Sequence, residues 1–384
     1  MNNTANDGNG LPLAGIRVLD FTTLLPGPLA TLMLVDAGAS VVKIESPAGG
    51  DRGRANMPRD GDESIQFALL NRGKKSLALN LKSDQGRAAV LRLVGEADVL
   101  VEQFRPGVMA RLGLGYETLN FLNPRLIYCS ISGYGQTGPL ANAAGHDVNY
   151  VARSGMLALS VGADGIPVMP AGAVADVGGG TLPAVTNILL ALLHRHSTGK
   201  GCHLDIAMAE NSLAWMPRAL APGLLGRPMP PAAEGRHTGG SPRYGIYLAS
   251  DGVQLAAAPI EPHFWKRFCE LLGLTPDQGD DSVDPQGVRQ RVREKIAERD
   301  AAYWLALFEG EDVCVNAVQD ATAALADPHF TARGVWNRQL TLKNGKTLPA
   351  LPVPLSPQLM DPKPSGYPSL GQHAAGDPDL WQRA

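Results

Sequence analysis

The sequence predicts an α/β protein in which a large, mostly parallel sheet flanked by helices is joined to a smaller α+β domain. Three observations carry this expectation. Short apolar runs of strand length alternate with helix-like segments over roughly the first 200 residues. A stretch rich in Pro and Gly and without period, APGLLGRPMPPAAEGRHTGGSPR, breaks that alternation within residues 219–243. Beyond it, Asp251-Gly252 and Asn344-Gly345 sit between apolar runs, the composition of tight hairpin turns.

Taken in order, IRVLD reads as a buried strand, FTTLLPGPLATLMLVDAGA as a connection and helix, and SVVKIE as the next strand, which is one βαβ unit. The pattern repeats. SLALNL is strand-like, Ser83 suits the cap of a helix over DQGRAAVLRLVGEA, and DVLVEQF and RLIYCSIS follow as strands separated by two short helices. DVGGG opens an apolar helix, TLPAVTNILLALLHRH, that stops at STGKG before the strand CHLDIAM. This is the alternation of a Rossmann-like, doubly wound sheet. After the break come the Asp251-Gly252 hairpin, a helix at EPHFWKRFCELLGL and charged helices near 286–310; the tail past Pro354 is polar and punctuated by proline.

At 384 residues there is room for two domains, and 44% hydrophobic and 18% charged residues describe an ordinary globular protein. A formal net charge of −3 gives no general attraction to nucleic acid or anionic lipid, so neither is expected as a partner. The four cysteines are scattered, with neither C-x-x-C spacing nor a histidine cluster, and are read as reduced thiols rather than metal ligands. MNNTANDGNG lacks the pattern of a signal peptide, and no apolar run approaches the roughly 20 residues that span a bilayer. The expected location is the cytoplasm.

The first strand is followed by FTTLLPGPLA without G-x-G-x-x-G, and there is no P-loop, which disfavours nicotinamide and ATP chemistry. Basic residues nevertheless gather near predicted strand ends: Lys43, Arg52, Arg54, Arg72, Lys74, Lys75, Arg105 and Arg111. Such groups suit an anionic nucleotide, although most surface lysines and arginines are simply solvated. Arg105 stands out, because it follows a strand directly, at the edge where open α/β sheets bind ligands. His146 in GHDVNY and Asp176 in ADVGGG each lie near a predicted helix start, a setting that favours neutral imidazole. A neutral histidine and an aspartate make a workable acid–base set. Asp147 and Asp176 equally suit plain helix caps, and His146 a hydrogen-bonded loop residue, so the residues alone leave the choice open.

The segments LPLAGIRVLDFTTLLPGPLATLMLVDAGASVVKIESP, NRGKKSLALNLK, EQFRPGVMARLGLGYE, ISGYGQTGP and STGKGCHLDIAM resemble the family III CoA-transferase (CaiB/BaiF) superfamily, which includes the α-methylacyl-CoA racemases. The likeness covers nearly the whole chain. It implies a large Rossmann-like CoA-binding domain built from residues 1–218 and 331–384, a linker at 219–243 and a small domain at 244–330. It also implies an interlocked homodimer, and an acyl-CoA substrate whose coenzyme A is the only cofactor-like group required. Lys43, Arg72, Lys75, Arg105, Arg111, Asn149 and Tyr150 become the candidates for CoA binding.

Within the superfamily the motifs resemble racemases more closely than transferases. Asp147 occupies the register of the transferase nucleophile and Ala152, Ser154 and Gly155 match, but position 151 is Val where transferases carry Gln. GHDVNY, ADVGGG, and the pair HTGGSPRYGIY and IEPHFW resemble the racemase pattern, with Glu261 as a third acidic group. The resemblance implies that His146 and Asp176 move protons on opposite faces of a thioester α-carbon. It further implies that Glu261, from the small domain of the other subunit, orients His146 or keeps the site's proton balance, and that the amide of Asp147, with Asn149 and Tyr150 nearby, meets the enolate oxygen. Arg153 and Arg243 are candidates for a distal carboxylate if they face the pocket, although each reads more readily as a surface or ion-paired residue.

Overall fold

The computed structural model describes residues 10–382 apart from Ala163 and Pro364; most of the polar amino-terminal stretch lies outside the described residues. The chain forms two compact units. One comprises residues up to 154, 170–215 and from 332 onward; the other comprises 155–169 and 216–331.

The first unit is built on six parallel strands: β1 (Arg17–Phe21), β2 (Ser40–Glu45), β3 (Lys75–Ala78), β4 (Val99–Glu102), β5 (Ile127–Ser132) and β6 (Cys202–Ala207). Their order is 3-2-1-4-5-6, so the direction of winding reverses between β1 and β4. That order is the doubly wound topology, with a crevice at the reversal point. Val, Leu and Ile dominate these strands because both faces of the sheet are covered. Leu19, Val42, Leu77, Leu100 and Tyr128 meet Val90 and Leu93, from the helix that follows β3, in one buried cluster.

The helices of this unit are α1 (Pro26–Asp36), α2 (Ile65–Asn71), α3 (Asp84–Val94), α4 (Val108–Arg111), α5 (Tyr116–Leu122), α6 (Asp147–Arg153) and α7 (Leu182–Thr198). Ser83 caps α3 as expected, its Oγ accepting the amide of Gly86 at 3.1 Å. The DVGGG segment is itself helical: Ala175–Thr181 is a π-helical turn that runs straight into α7. Ala175–Thr198 is therefore a helix of 24 residues, long and apolar enough by composition to cross a membrane, where the sequence reading saw no run of that length. One stripe of it packs into this unit, and buried Arg195 in its last turn bonds Asp98 at 2.8 Å.

The second unit contains an antiparallel sheet of β7 (Gly245–Leu248), β8 (Gln254–Ala257) and β9 (Val315–Ala317), with β7 and β8 joined through the Asp251-Gly252 turn. Tyr247, Trp265, Phe268, Val292 and Trp304 form its core. The sequence placed Gly155–Met169 in the large domain, whereas its contacts assign it to this unit. The 219–243 stretch is not bare linker, since Pro217–Leu224 is helical and Arg236–Gly240 forms a π-type turn.

Several basic residues read as phosphate ligands serve the interior of the first unit instead. Lys43 is fully buried, with Nζ 3.0 Å from Asp51 and 2.6 Å from the carbonyl of Thr22. Lys74 is buried against Asp20 at 3.0 Å, and its burial pushes its pKa down to about 8. Burial raises the Asp20 carboxyl, but Lys43, Lys74 and two threonine hydroxyls outweigh it and hold that pKa well below the usual range. Arg72 is buried on Asp36, Lys75 donates to the carbonyl of Asp379, and Arg54 grips Glu45 at 2.7 Å. Lys43, Arg72 and Lys75 are thus corrected from CoA ligands to partners of internal acceptors, because a buried cation without its partner is too costly to leave open.

Candidate active site

The connections leaving β1, β4 and β5 surround a cleft of 480 Å³ at the reversal point of the sheet. Leu24 and Pro26 follow β1, Gln103 to Pro106 follow β4, and Ser132 and Gly133 follow β5. His146, Asn149, Tyr150 and Asp176 complete the wall, together with Arg52 and Arg105. Parallel strands deliver their following loops to one edge, which is why residues far apart in the chain share this cleft.

His146 is the residue immediately before α6, in extended backbone conformation. Its amide donates to Asn149 Oδ1 at 3.0 Å, while its carbonyl accepts the Asn149 amide at 2.8 Å. Asn149 therefore acts as a cap that fixes the histidine backbone and leaves the imidazole exposed toward the cleft. Tyr150 is buried and donates its hydroxyl to the carbonyl of Gly145 at 2.6 Å, and burial pushes its pKa up to about 12. A Cβ at Gly145 would stand 2.7 Å from the Tyr150 ring, so this turn closes only around glycine.

Asp147 and Asp176 are joined in a way the sequence does not display. Asp147 Oδ1 accepts the backbone amide of Asp176 at 2.8 Å, tying the start of α6 to the π-helical turn. Asp176 lines the cleft and Asp147 does not. Burial, aided by the nearby Asp147 charge and opposed by His146, raises the Asp176 pKa to about 6. The carboxyl thus exchanges protons near neutral pH.

The remaining candidates divide. Arg105 and Arg52 are exposed on the cleft wall, with neither an ion pair nor a hydrogen bond to another side chain among the described residues. Arg111 lies exposed in α4 and is not among the cleft residues. Arg153 is exposed in the last turn of α6 and lines a different, 240 Å³ depression with Tyr134 and Leu213. Arg243 is held bidentately by Asp281, at 2.9 and 2.5 Å. Glu261, in the second unit, is exposed at the residue preceding α8 (Pro262–Leu271), with no side-chain bond to that helix.

The sequence reading passed over Glu102. It ends β4, lines a smaller depression together with Arg105, accepts the Phe104 amide at 2.8 Å, and burial raises its pKa to about 7. Ser130 Oγ, on the neighbouring strand, lies 3.0 Å from His203 Nε2. An acidic residue closing an apolar strand, as in VLVE, was the available signal. Among the described residues no group of three or more His, Cys, Asp or Glu is arranged to hold a metal ion.

The model of CoA-transferase family III matches residues 13–374. The chain belongs to CoA-transferase family III. Its family relatives fall on both sides of the chemistry. Acetyl-CoA:oxalate CoA-transferase of Acetobacter aceti is 35% identical over 95% of this chain and 94% of that one. The α-methylacyl-CoA racemase of Mus musculus is 36% identical over 94% of this chain and 91% of its own. The crystal structure of a CaiB/BaiF family protein from Brucella suis superposes with a TM-score of 0.78 at 30% identity, covering 94% and 97% of the two chains. This family III enzyme therefore shares its mixed α/β fold and central parallel sheet with those proteins.

Proposed function

We propose that this family III enzyme racemises or epimerises a 2-methylacyl-CoA thioester by 1,1-proton transfer. The observation that carries the reading is the division of labour in the cleft. His146 and Asp176 both face it, while the Asp147 carboxylate accepts the Asp176 amide. A thioester carbonyl delocalises the carbanion left by loss of the α-hydrogen, so the intermediate is an enolate. His146 removes the proton from one enantiomer and protonated Asp176 delivers one to the opposite face; the roles exchange for the other enantiomer. A pKa of about 6 lets Asp176 serve in either form. The donor assigned to the enolate oxygen lies at the start of α6, where Asn149 lines the cleft, whereas the Tyr150 hydroxyl is engaged by Gly145.

Proton transfer changes no oxidation state, so the reaction requires no cofactor beyond the CoA carried by the substrate. Arg105 is the leading ligand for its phosphates, because its guanidinium has no ion-pair partner among the described residues and lies at the strand edge. Glu261 is the residue that the family likeness gives to the support of His146. The homodimer expected from the family likeness is retained: α7 leaves Leu190 and Leu193 58% and 70% exposed in the single chain, surface that a second subunit would cover. A cytoplasmic location fits four free cysteines.

Deuterium exchange at C2 of a 2-methylacyl-CoA in heavy water tests the proposal. Exchange by the wild-type enzyme, lost in His146→Ala, is the expected result; no exchange with wild type refutes the activity. The second reading is CoA transfer through Asp147, favoured by the 35% identity to the oxalate CoA-transferase. There Asp147 attacks the acyl-CoA carbonyl and expels CoA thiolate, leaving a mixed anhydride. The thiolate then attacks the aspartyl carbonyl, releasing the carboxylate and forming an aspartyl-CoA thioester. Hydroxylamine with acyl-CoA inactivates such an enzyme and marks Asp147, and leaves a racemase untouched.

A further inference from the structure

A second cavity of the first unit, of 550 Å³, lies at the carboxyl end of α1 and so at the opposite end of that helix from the cleft. Its volume lies within the roughly 300–1,000 Å³ of small-molecule sites. Asp36, Arg72 and Arg338 form its charged wall, and Leu351, Val353 and Leu355 its apolar one.

The charges do not balance. Arg72 Nη2 and Arg338 Nη1 both approach the same Asp36 oxygen, Oδ2, at 2.5 and 2.8 Å. The Asp36 and Arg72 side chains are wholly buried and Arg338 is 16% exposed. Two guanidinium cations thus share one carboxylate, a net charge of +1 on largely buried groups; Arg333 and Asp361 on the same wall add one charge of each sign and leave the excess unchanged. Donor atoms are also left over, since Arg72 Nε and Arg338 Nε are buried without an acceptor among the described residues. Asp36 Oδ1 likewise has no donor, so the carboxylate meets both arginines through one oxygen. Buried positive charge and buried unpaired donors ask for an anionic acceptor. The excess of one charge asks for a monoanion, and a guanidinium fork matches a carboxylate.

We propose that this cavity is a binding site for a monoanionic carboxylate carrying an aliphatic chain, its head on Arg338 and its chain along Leu351, Val353 and Leu355. The site is separate from the cleft that holds His146 and Asp176, and its existence does not depend on the reaction assigned there.

Calorimetric titration of the full-length protein with decanoate, using decan-1-ol as the uncharged control, tests the proposal. Decanoate is expected to bind saturably to wild type and equally to Asp176→Asn, and decanol at least tenfold more weakly. Arg338→Gln, which removes the cation, and Val353→Trp, which fills the apolar side while keeping the charges, are each expected to weaken decanoate at least tenfold. Should Arg338→Gln fail to fold, Val353→Trp carries the test by itself. No binding to wild type, undiminished binding in Val353→Trp, equal binding of decanol, or binding abolished by Asp176→Asn would each overturn the site.

Discussion

Asp176 owes its readiness to exchange protons to its neighbours. Burial removes water from the carboxyl and the Asp147 charge disfavours a second anion beside it, which together raise its pKa to about 6. When Asp176 acts as the acid, the rate is expected to fall as pH rises through about 6, because the proton to be delivered is lost. When it acts as the base, the rate falls as pH drops through the same value. Asp147→Asn keeps an oxygen able to accept the Asp176 amide but removes the negative charge. Both limbs governed by Asp176 are therefore expected to move to lower pH, measured as rate against pH from each enantiomer; an unmoved profile contradicts the coupling. Arg105 and Lys43 form a contrasting pair. Arg105→Ala is expected to raise KM for acyl-CoA while leaving stability nearly unchanged. Lys43→Met leaves Asp51 buried without its cation and is expected to cost about 3–5 kcal/mol in denaturant unfolding. The sequence showed GHDVNY and ADVGGG as chemically suggestive but could not show that Asp147 bonds the Asp176 amide, since that bond joins residues 29 apart. It misread Lys43 and Arg72 for the same reason: their carboxylate partners are set by sheet and helix packing, not by adjacent residues.

Two helical starts position the groups proposed to transfer the proton. The π-helical turn Ala175–Thr181 carries Asp176 on a bed of glycines packed closely on the chain after β6. A Cβ at Gly179 would lie 2.3 Å from the carbonyl of Met208, so Gly179→Ala must shift the turn. Misplacing a catalytic group by about 1 Å can lower the rate on the order of 10²-fold. A loss of that size in kcat, with folding retained by circular dichroism, is the expected outcome; full activity would show that the turn does not position Asp176. The α3 cap offers a purely structural comparison, with Ser83→Ala expected to cost about 1 kcal/mol of stability without touching kcat. Elements of this kind were legible from sequence. Each of the six strands falls where an apolar run ends at Gly, Pro or polar residues, and Ser83 was visible as a cap. The π-helical character of DVGGG was hidden, because glycine composition signals a turn or a helix start equally well. The helix within the Pro/Gly-rich stretch was hidden as well, since Pro217 and Pro222 obscure it.

At the scale of the molecule, the 3-2-1-4-5-6 strand order explains why the cleft lies where it does. Reversal of winding between β1 and β4 parts their loops, and the residues after β1, β4 and β5 line the gap. Alternating strand and helix patterns made this sheet readable in advance. The transfer of Gly155–Met169 to the second unit was not readable, because it depends on tertiary contacts of a segment with little regular structure. The central claim is that two groups on opposite sides of one α-carbon share the proton traffic. Enantiomer-resolved hydrogen–deuterium exchange in His146→Gln and Asp176→Asn tests it most directly. Each variant is expected to lose inversion yet retain C2 exchange from the single enantiomer whose proton faces its surviving base, with the two variants choosing opposite enantiomers. Exchange from both enantiomers at the wild-type rate in either variant would contradict the account.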